Sequence, residues 1–105
     1  MQFEASLDEL DAARAAGAAI IDVRESDEYA GGHVPAARLM PLATVPTRAD
    51  EFRGDAPVYV ICASGARSAR AVEVLQQRGV DARSVVGGTN AWIRSGRPVK
   101  TGDSA

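Results

Sequence analysis

Residues 57–78 read PVYVICASGARSARAVEVLQQR and predict a buried strand, a tight turn and a helix in succession. It opens with the apolar run 58–61, which has the length and composition of a strand buried on both faces. Residues 62–68 are mostly small and include a glycine, which is typical of a tight turn. The helix that follows has an apolar face formed by Ala69, Val72 and Leu75, and it ends at Gly79. The only cysteine of the chain, Cys62, therefore stands where a strand turns into a helix.

Short apolar segments alternate with helical segments along the rest of the chain. The predicted strands are residues 3–5, 18–23, 38–40, 58–61 and 84–86, and the predicted helices are residues 7–16, 26–30, 44–52, 69–78 and 89–95. Ser6 and Glu9 have the spacing of a helix capping box. This alternation predicts an α/β domain with a central parallel sheet of about five short strands and helices on both faces. We expect one domain over residues 1–105, with its core from about residue 3 to 99 and a frayed tail at 100–105.

The composition excludes several classes of function. Hydrophobic residues make up 46% of the chain and charged residues 25%, as in a globular protein. Every apolar run is shorter than the ~18 residues of a membrane span, and the first residues lack the pattern of a signal peptide. One cysteine allows no internal disulfide, and one cysteine with one histidine are too few for a metal site built on those residue types. We therefore expect a cytoplasmic protein with no membrane partner, no cofactor and no metal.

Charge is distributed unevenly along the chain. Residues 62–105 hold seven basic and three acidic residues, although the net charge of the protein is −2. A basic region around the cysteine suits a small anionic substrate, while a chance distribution over a solvated surface is the alternative. No basic run or basic–aromatic stripe is present, so nucleic acid is not an expected partner. The ratio of eleven arginines to one lysine is typical of a bacterial chain from a GC-rich genome.

The turn at Cys62 has the features of a reactive thiol site. Ligands of parallel sheets bind at the carboxyl ends of the strands, where both Cys62 and the predicted strand end at Asp22 fall. A free thiol has a pKa of about 8.5, which a helix N-terminus and the nearby Arg67 and Arg70 would lower. The small residues 63–66 let several backbone N–H groups point inward as an anion nest. The alternative is an inert cysteine buried in a core strand.

Four motifs, in order along the chain, resemble those of one family. They are Asp22-Val23-Arg24-Glu25 with Glu28-Tyr29, Gly32-His33-Val34-Pro35-Ala36-Ala37, Cys62-Ala63-Ser64-Gly65-Ala66-Arg67-Ser68, and Gly87-Gly88-Thr89-Asn90-Ala91-Trp92 with Gly96-Arg97-Pro98-Val99. Together they resemble the two early markers, the active-site loop and the closing marker of the single-domain rhodaneses, a family of sulfurtransferases. The resemblance covers nearly the whole chain and implies a single rhodanese-like domain.

The resemblance implies thiosulfate sulfurtransferase chemistry. The Cys62 thiolate would attack the outer sulfur of thiosulfate or a similar donor, sulfite would leave, and a Cys62 persulfide would form. Cyanide, a thiol or a partner protein would then accept that sulfur, so that one transfer is split into two. The substrate-binding residues implied are Ala63, Ser64, Gly65, Ala66, Arg67 and Ser68, with Arg67 on the anionic end of the donor. A surface ion pair is the alternative role for Arg67.

Four further residues are implied to have supporting roles. Asp22, Arg24 and Glu28 are expected to form an ion-pair and hydrogen-bond scaffold behind the active site. His33, the only imidazole, is expected to tie loops together rather than to act as a general base. Trp92 is expected in the core, and Gly87-Gly88 in a tight turn with a minor role in shaping the pocket.

Several other functions stay open at this point. A non-catalytic rhodanese-like binding module and a persulfide carrier for a partner protein share the same fold. A cysteine-based phosphatase or arsenate reductase is disfavoured, because four residues rather than five separate Cys62 from Arg67. A shorter loop makes a smaller anion nest. Mercaptopyruvate is an alternative donor, although Arg67 favours thiosulfate.

Overall fold

The computed structural model describes residues 3–54 and 56–105 and contains one five-stranded sheet. The strands are β1 (Glu4–Ala5), β2 (Ile20–Asp22), β3 (Arg38–Leu39), β4 (Val58–Ile61) and β5 (Ala82–Val85), and the α-helices are α1 (Leu7–Ala15), α2 (Ser26–Gly31), α3 (Val45–Arg48), α4 (Ala66–Gln77) and α5 (Gly88–Arg94). The strand order is β1-β5-β4-β2-β3, and every neighbouring pair is parallel. The predicted α/β domain with a parallel sheet is therefore confirmed.

Strand β4 occupies the centre of the sheet because all four of its residues are apolar and buried on both sides. The register aligns Ile21 of β2, Val60 of β4 and Ser84 of β5 in one row across the sheet. Parallel pairing brings the carboxyl ends of these strands to one edge. Cys62 follows β4 directly and so lies at that edge.

Two apolar clusters cover the two faces of the sheet. One cluster contains Val60, Cys62 and Leu75, and it packs β4 against α4 and the segment before β4. The other contains Leu10, Ile61 and Trp92, and it packs α1 and α5 on the opposite face. The alternation of side chains along β4 thus sends Cys62 to the α4 face together with Val60.

Helices α1 and α2 begin where the sequence predicted them, whereas α4 begins three residues earlier than predicted, at Ala66. Ser6 and Glu9 form the expected capping box of α1 at 3.0 and 3.1 Å. The predicted helix 44–52 is divided into a 3₁₀ turn at Leu42–Thr44, α3, and a second 3₁₀ turn at Ala49–Phe52. Pro46 accounts for the first division, since it has no N–H to donate to the preceding turn. Strand β5 begins two residues earlier than predicted.

The buried face of α4 differs from the predicted one. Val72 and Leu75 are buried as expected, but Ala69 is exposed and Ser68 and Ala71 are buried instead. The apolar pattern alone did not indicate that Ser68, predicted as a residue of the substrate-binding loop, would also lie on the buried face. Ser68 is tolerated there because its hydroxyl is hydrogen-bonded.

The last residues of the chain are attached to the loop after α2. His33 and Lys100 exchange two backbone hydrogen bonds of 2.8 and 2.9 Å, and the Gly102 N–H donates to the carbonyl of Ala30 at 2.9 Å. The segment 100–105, which the sequence analysis expected to fray, makes these backbone contacts, and its side chains are exposed. Within residues 3–54 and 56–105, no helix is long and apolar enough to span a bilayer.

Candidate active site

The Cys62 thiol lies at the N-terminus of α4, inside the turn that joins β4 to that helix. Its Sγ accepts a hydrogen bond from the Gly65 N–H at 3.0 Å. The Ser68 hydroxyl lies 3.5 Å from the same sulfur. Only 1% of the residue is exposed, so the sulfur is held among donors of the turn rather than in open solvent. This geometry fits a stabilised anionic sulfur.

One glycine, Gly65, allows the turn to curl tightly enough for its hydrogen-bond donors to point at the Cys62 sulfur. Gly65 has φ of +124°, a region that residues with a Cβ rarely adopt, and it directly precedes α4. The Ser68 hydroxyl donates to the Gly65 carbonyl at 3.1 Å and closes the turn. Of the predicted substrate-binding residues, Ser64 and Ala66 are exposed and Ala63, Gly65 and Arg67 are half-buried.

The first residues of α5 also support the cysteine turn. The N–H groups of Thr89 and Asn90 donate to the carbonyls of Cys62 and Ala63 at 2.8 and 3.0 Å. A Cβ at Gly88 would lie 2.6 Å from both of those carbonyl oxygens. Gly87-Gly88 was expected only to form a tight turn and to have a minor role in shaping the pocket, whereas Gly88 allows the direct contact between α5 and the cysteine turn.

Opposing effects act on the pKa of the Cys62 thiol, and the result is a pKa below its ordinary value. Burial alone raises the pKa of this thiol. The Ser68 hydroxyl and the N–H groups of Ser68, Gly65 and Ser64 lower the pKa, and together they outweigh the burial. The stabilising groups are therefore hydrogen-bond donors of the turn itself.

Arg67, in the first turn of α4, is paired with the Glu28 carboxylate of α2. Its two terminal nitrogens donate to the two Glu28 carboxylate oxygens at 2.7 and 2.9 Å. The side chains are 36% and 34% exposed. The hydrogen bond from Arg67 is the main reason why the pKa of Glu28 falls to about 2. The predicted scaffold residue and the predicted substrate-binding arginine thus contact each other.

Asp22 and Arg24 form a separate, buried ion pair. The Arg24 guanidinium donates to both Asp22 oxygens, at 2.8 Å for the shortest contact, and to the Gly32 carbonyl at 2.9 Å. The side chains are 7% and 0% exposed. The pair therefore joins the end of β2 to the loop after α2.

His33 lies in that same loop, away from the hydrogen bonds of the thiol. Its ring stacks on Tyr29 with centroids 3.6 Å apart. Its two ring nitrogens lie 2.7 and 2.9 Å from the carbonyl oxygens of Tyr29 and Ser104. These contacts link α2, the loop and the C-terminal segment, which is the kind of connection that the sequence analysis expected of His33.

Sequence reasoning missed one residue that contacts the site. The Ser84 hydroxyl of β5 lies 2.7 Å from the Ser68 hydroxyl, and Ser84 is 7% exposed. The available signal was a serine in a buried strand, where a polar group requires a hydrogen-bond partner.

No group of three or more His, Cys, Asp or Glu side chains could hold a metal among the described residues. The arrangement around Cys62 instead offers a thiol of lowered pKa, inward N–H groups and a nearby guanidinium. Such a set can hold an anionic sulfur and carry out nucleophilic chemistry at it.

Comparison with protein families places the chain in one of them. Residues 6–95 match the model of the rhodanese-like domain. The chain belongs to the rhodanese-like domain family.

Individual relatives agree with this assignment. The chain is 41% identical over 76 residues to uncharacterized protein YqhL of Bacillus subtilis, covering 71% of this chain and 60% of the relative. It is 37% identical over 81 residues to a sulfurtransferase of Allochromatium vinosum, covering 76% of each. It is 38% identical over 74 residues to the putative sulfur carrier protein YrkF of B. subtilis, covering 70% of this chain but 40% of that relative. The chain thus spans less than two thirds of two of these relatives, 60% of one and 40% of the other.

Solved structures show the same fold. A rhodanese-related protein of Thermoplasma volcanium superposes with a TM-score of 0.86 at 32% identity, covering 95% of this chain and 99% of the other. A thiosulfate sulfurtransferase of Pseudomonas aeruginosa superposes with a TM-score of 0.87 at 27% identity, covering 98% of this chain and 21% of the other.

Proposed function

We propose that this protein is a sulfurtransferase that moves a sulfane sulfur from thiosulfate through a persulfide on Cys62. The observation that carries the proposal is the Cys62 sulfur at the N-terminus of α4, 3.0 Å from the Gly65 nitrogen, with a thiol pKa lowered by its hydrogen bonds. The family and its relatives named sulfurtransferase and sulfur carrier support sulfur transfer in general.

The first half-reaction loads the enzyme. The Cys62 thiolate attacks the outer sulfur of thiosulfate, a new S–S bond forms, and the old S–S bond breaks with its electron pair leaving on sulfite. The product is a Cys62 persulfide anion, whose outer sulfur would be held by the N–H groups of the turn. The second half-reaction transfers that sulfur to cyanide or a thiol and regenerates the thiolate.

Arg67 is the proposed contact for the anionic end of the donor. Its guanidinium is half-exposed and already binds two carboxylate oxygens of Glu28 in a bidentate manner. An anionic oxygen of thiosulfate presents the same kind of acceptor, so the donor would exchange with Glu28 for Arg67. This exchange also gives a reason to prefer an anionic donor over an uncharged one.

A second candidate is a persulfide carrier that delivers sulfur to a partner protein. The observation that favours it is the 38% identity to a putative sulfur carrier protein, which is longer than this chain. The sole cysteine is compatible with both candidates, because the persulfide has no internal thiol to resolve it and must pass to an external acceptor in either case. Either role is consistent with a cytoplasmic location, where a single thiol is kept reduced.

Intact-mass spectrometry of the reduced protein tests the proposal. We expect thiosulfate to add one sulfur atom, and cyanide to remove it as thiocyanate. Because the chain has one cysteine, the added sulfur can be assigned to Cys62 directly. Cys62→Ser is expected to keep the fold and to gain no sulfur, since a hydroxyl is a poor sulfur nucleophile. Turnover by Cys62→Ser would exclude Cys62 as the nucleophile.

The rate of sulfur release to different acceptors separates the free-standing enzyme from the persulfide carrier. A free-standing enzyme is expected to turn over many times with cyanide or a small thiol. A carrier is expected to load with thiosulfate, to release sulfur slowly to small thiols and to release it rapidly to a protein acceptor. No loading with thiosulfate or mercaptopyruvate would point to a binding module.

A further inference from the structure

A buried chain of hydroxyl groups connects β5 to the Cys62 sulfur. The Ser84 oxygen lies 2.7 Å from the Ser68 oxygen, and the Ser68 oxygen lies 3.5 Å from the Cys62 sulfur. Ser84 is 7% exposed, Ser68 0% and Cys62 1%. The register explains how Ser84 reaches this place, because it pairs with Val60, whose side chain shares the α4 face with Cys62.

The Ser68 hydroxyl has one proton and three acceptors within reach. These are the Gly65 carbonyl at 3.1 Å, the Ser84 hydroxyl at 2.7 Å and the Cys62 sulfur at 3.5 Å. If Ser68 donates to Ser84, its proton is not available to the sulfur. If Ser84 donates to Ser68 instead, the Ser68 proton is released for the sulfur or the carbonyl. Ser84 must therefore donate in the 2.7 Å bond before the Ser68 hydroxyl can donate to the sulfur.

The charge on the sulfur sets the direction of that bond. With a neutral thiol, the S–H donates to the Ser68 oxygen and Ser68 donates onward. When the thiol proton leaves to solvent, both hydroxyls can rotate so that Ser84 donates to Ser68 and Ser68 donates to the thiolate. Neither hydroxyl is ionised in this change. Aligned hydrogen bonds of this kind strengthen one another in a buried site.

We propose that Ser84 is a positioning residue that acts on Cys62 through Ser68. By donating to Ser68, it turns the Ser68 hydroxyl toward the sulfur and stabilises the anionic forms of Cys62. Its predicted effect on turnover rests on the proposed sulfurtransferase function. Its effect on the thiol itself does not, so the two proposals can fail separately.

The pH profile of Cys62 alkylation by iodoacetamide tests the proposal, since only the thiolate reacts. We expect Ser84→Ala to react about three- to tenfold more slowly than wild type at pH values well below the thiol midpoint, in line with the loss of part of a hydrogen bond to a charged group. The two rates are expected to converge at high pH, where both proteins are fully ionised. Ser68→Ala is expected to show a larger effect of the same form.

Two further variants serve as controls. Ser84→Thr retains the hydroxyl, and its added methyl group can enter a groove of about 970 Å³ that Ser84 lines between β1 and α4. It is expected to keep the wild-type profile. Ser95→Ala removes a hydroxyl that is bonded to the Trp92 carbonyl at the end of α5, and it is expected to change nothing in the profile.

Two results would overturn the proposal. One is a Ser84→Ala profile that superposes on that of the wild type. The other is a rate that is lowered equally at every pH, because that would show altered access or packing rather than a changed thiolate. If Ser84→Ala shifts the alkylation profile but the protein takes up no sulfur, the proposed action of Ser84 on Cys62 through Ser68 stands and the sulfurtransferase function is refuted.

Discussion

Two arginine–carboxylate pairs lie near the same edge of the sheet, and they differ chiefly in burial. Arg24 and Asp22 are 7% and 0% exposed, whereas Arg67 and Glu28 are 36% and 34% exposed. In each pair the guanidinium donates to both oxygens of the carboxylate, so the hydrogen-bond geometry of the two pairs is alike. A buried guanidinium cannot leave its partner without an uncompensated charge, but a half-exposed one can exchange partners at little cost. We therefore infer that the Arg24–Asp22 pair stabilises the fold, whereas the Arg67–Glu28 pair is available to bind a ligand.

The largest expected effect is on stability, from breaking the buried pair. Arg24→Met leaves the Asp22 carboxylate buried without its cation and the Gly32 carbonyl without its side-chain donor. We expect a loss of about 3–5 kcal/mol in the free energy of unfolding, measured by urea denaturation at neutral pH. Arg67→Met is the matched control, and its expected loss is about 1 kcal/mol or less. Equal losses in the two variants would refute the distinction drawn from burial.

The next largest effect is expected on the binding of the sulfur donor, when either member of the exposed Arg67–Glu28 pair is replaced. Arg67→Ala removes the cation, and we expect the KM for thiosulfate to rise about tenfold, with a much smaller change for an uncharged sulfane donor. Glu28→Gln removes the competing carboxylate, and we expect the KM for thiosulfate to fall about threefold. Steady-state kinetics with both donors measures these changes.

The two variants are informative because their expected directions are opposite. If Glu28→Gln raised the KM as Arg67→Ala does, Glu28 would be orienting Arg67 for the donor rather than competing with it. If Arg67→Ala changed the KM of both donors equally, Arg67 would have only a structural role.

The sequence alone was enough to predict the fold and the family, but not the difference in burial between the two ion pairs. The alternation of apolar strands and helices, the position of Cys62 at a strand end and the four motifs were enough to predict the parallel sheet and the family. Those features depend on local patterns of hydrophobicity and on order along the chain. The burial that separates Arg24 from Arg67 is not local, because it depends on how the loop after α2 packs over the end of β2.

The same limit applies to contacts between hydroxyl groups and to the end of the chain. Ser68 and Ser84 are 16 positions apart, and only the register of β5 against β4 brings their oxygens to 2.7 Å. The attachment of residues 100–105 likewise depends on the bridge between His33 and Lys100, which no local pattern indicates. Contacts of this kind join residues that are distant along the chain, so a local pattern does not reveal them.

The smallest expected effect is the dependence of stability on pH that the exposed pair contributes. The hydrogen bond from Arg67 lowers the pKa of Glu28 in the folded state to about 2, from an ordinary value of 4.5. A lowered carboxyl pKa stabilises the fold fully above the unfolded value, and that stabilisation is lost as the pH falls toward the folded value. The difference in unfolding free energy between wild type and Glu28→Gln should therefore be constant from about pH 6 to 8, at about 1 kcal/mol or less, and shrink between about pH 4.5 and 2. Urea denaturation at a series of pH values, each in the same salt concentration, measures this difference. A difference that stays constant below pH 4 would mean that the pair contributes nothing to stability that depends on the charge of Glu28.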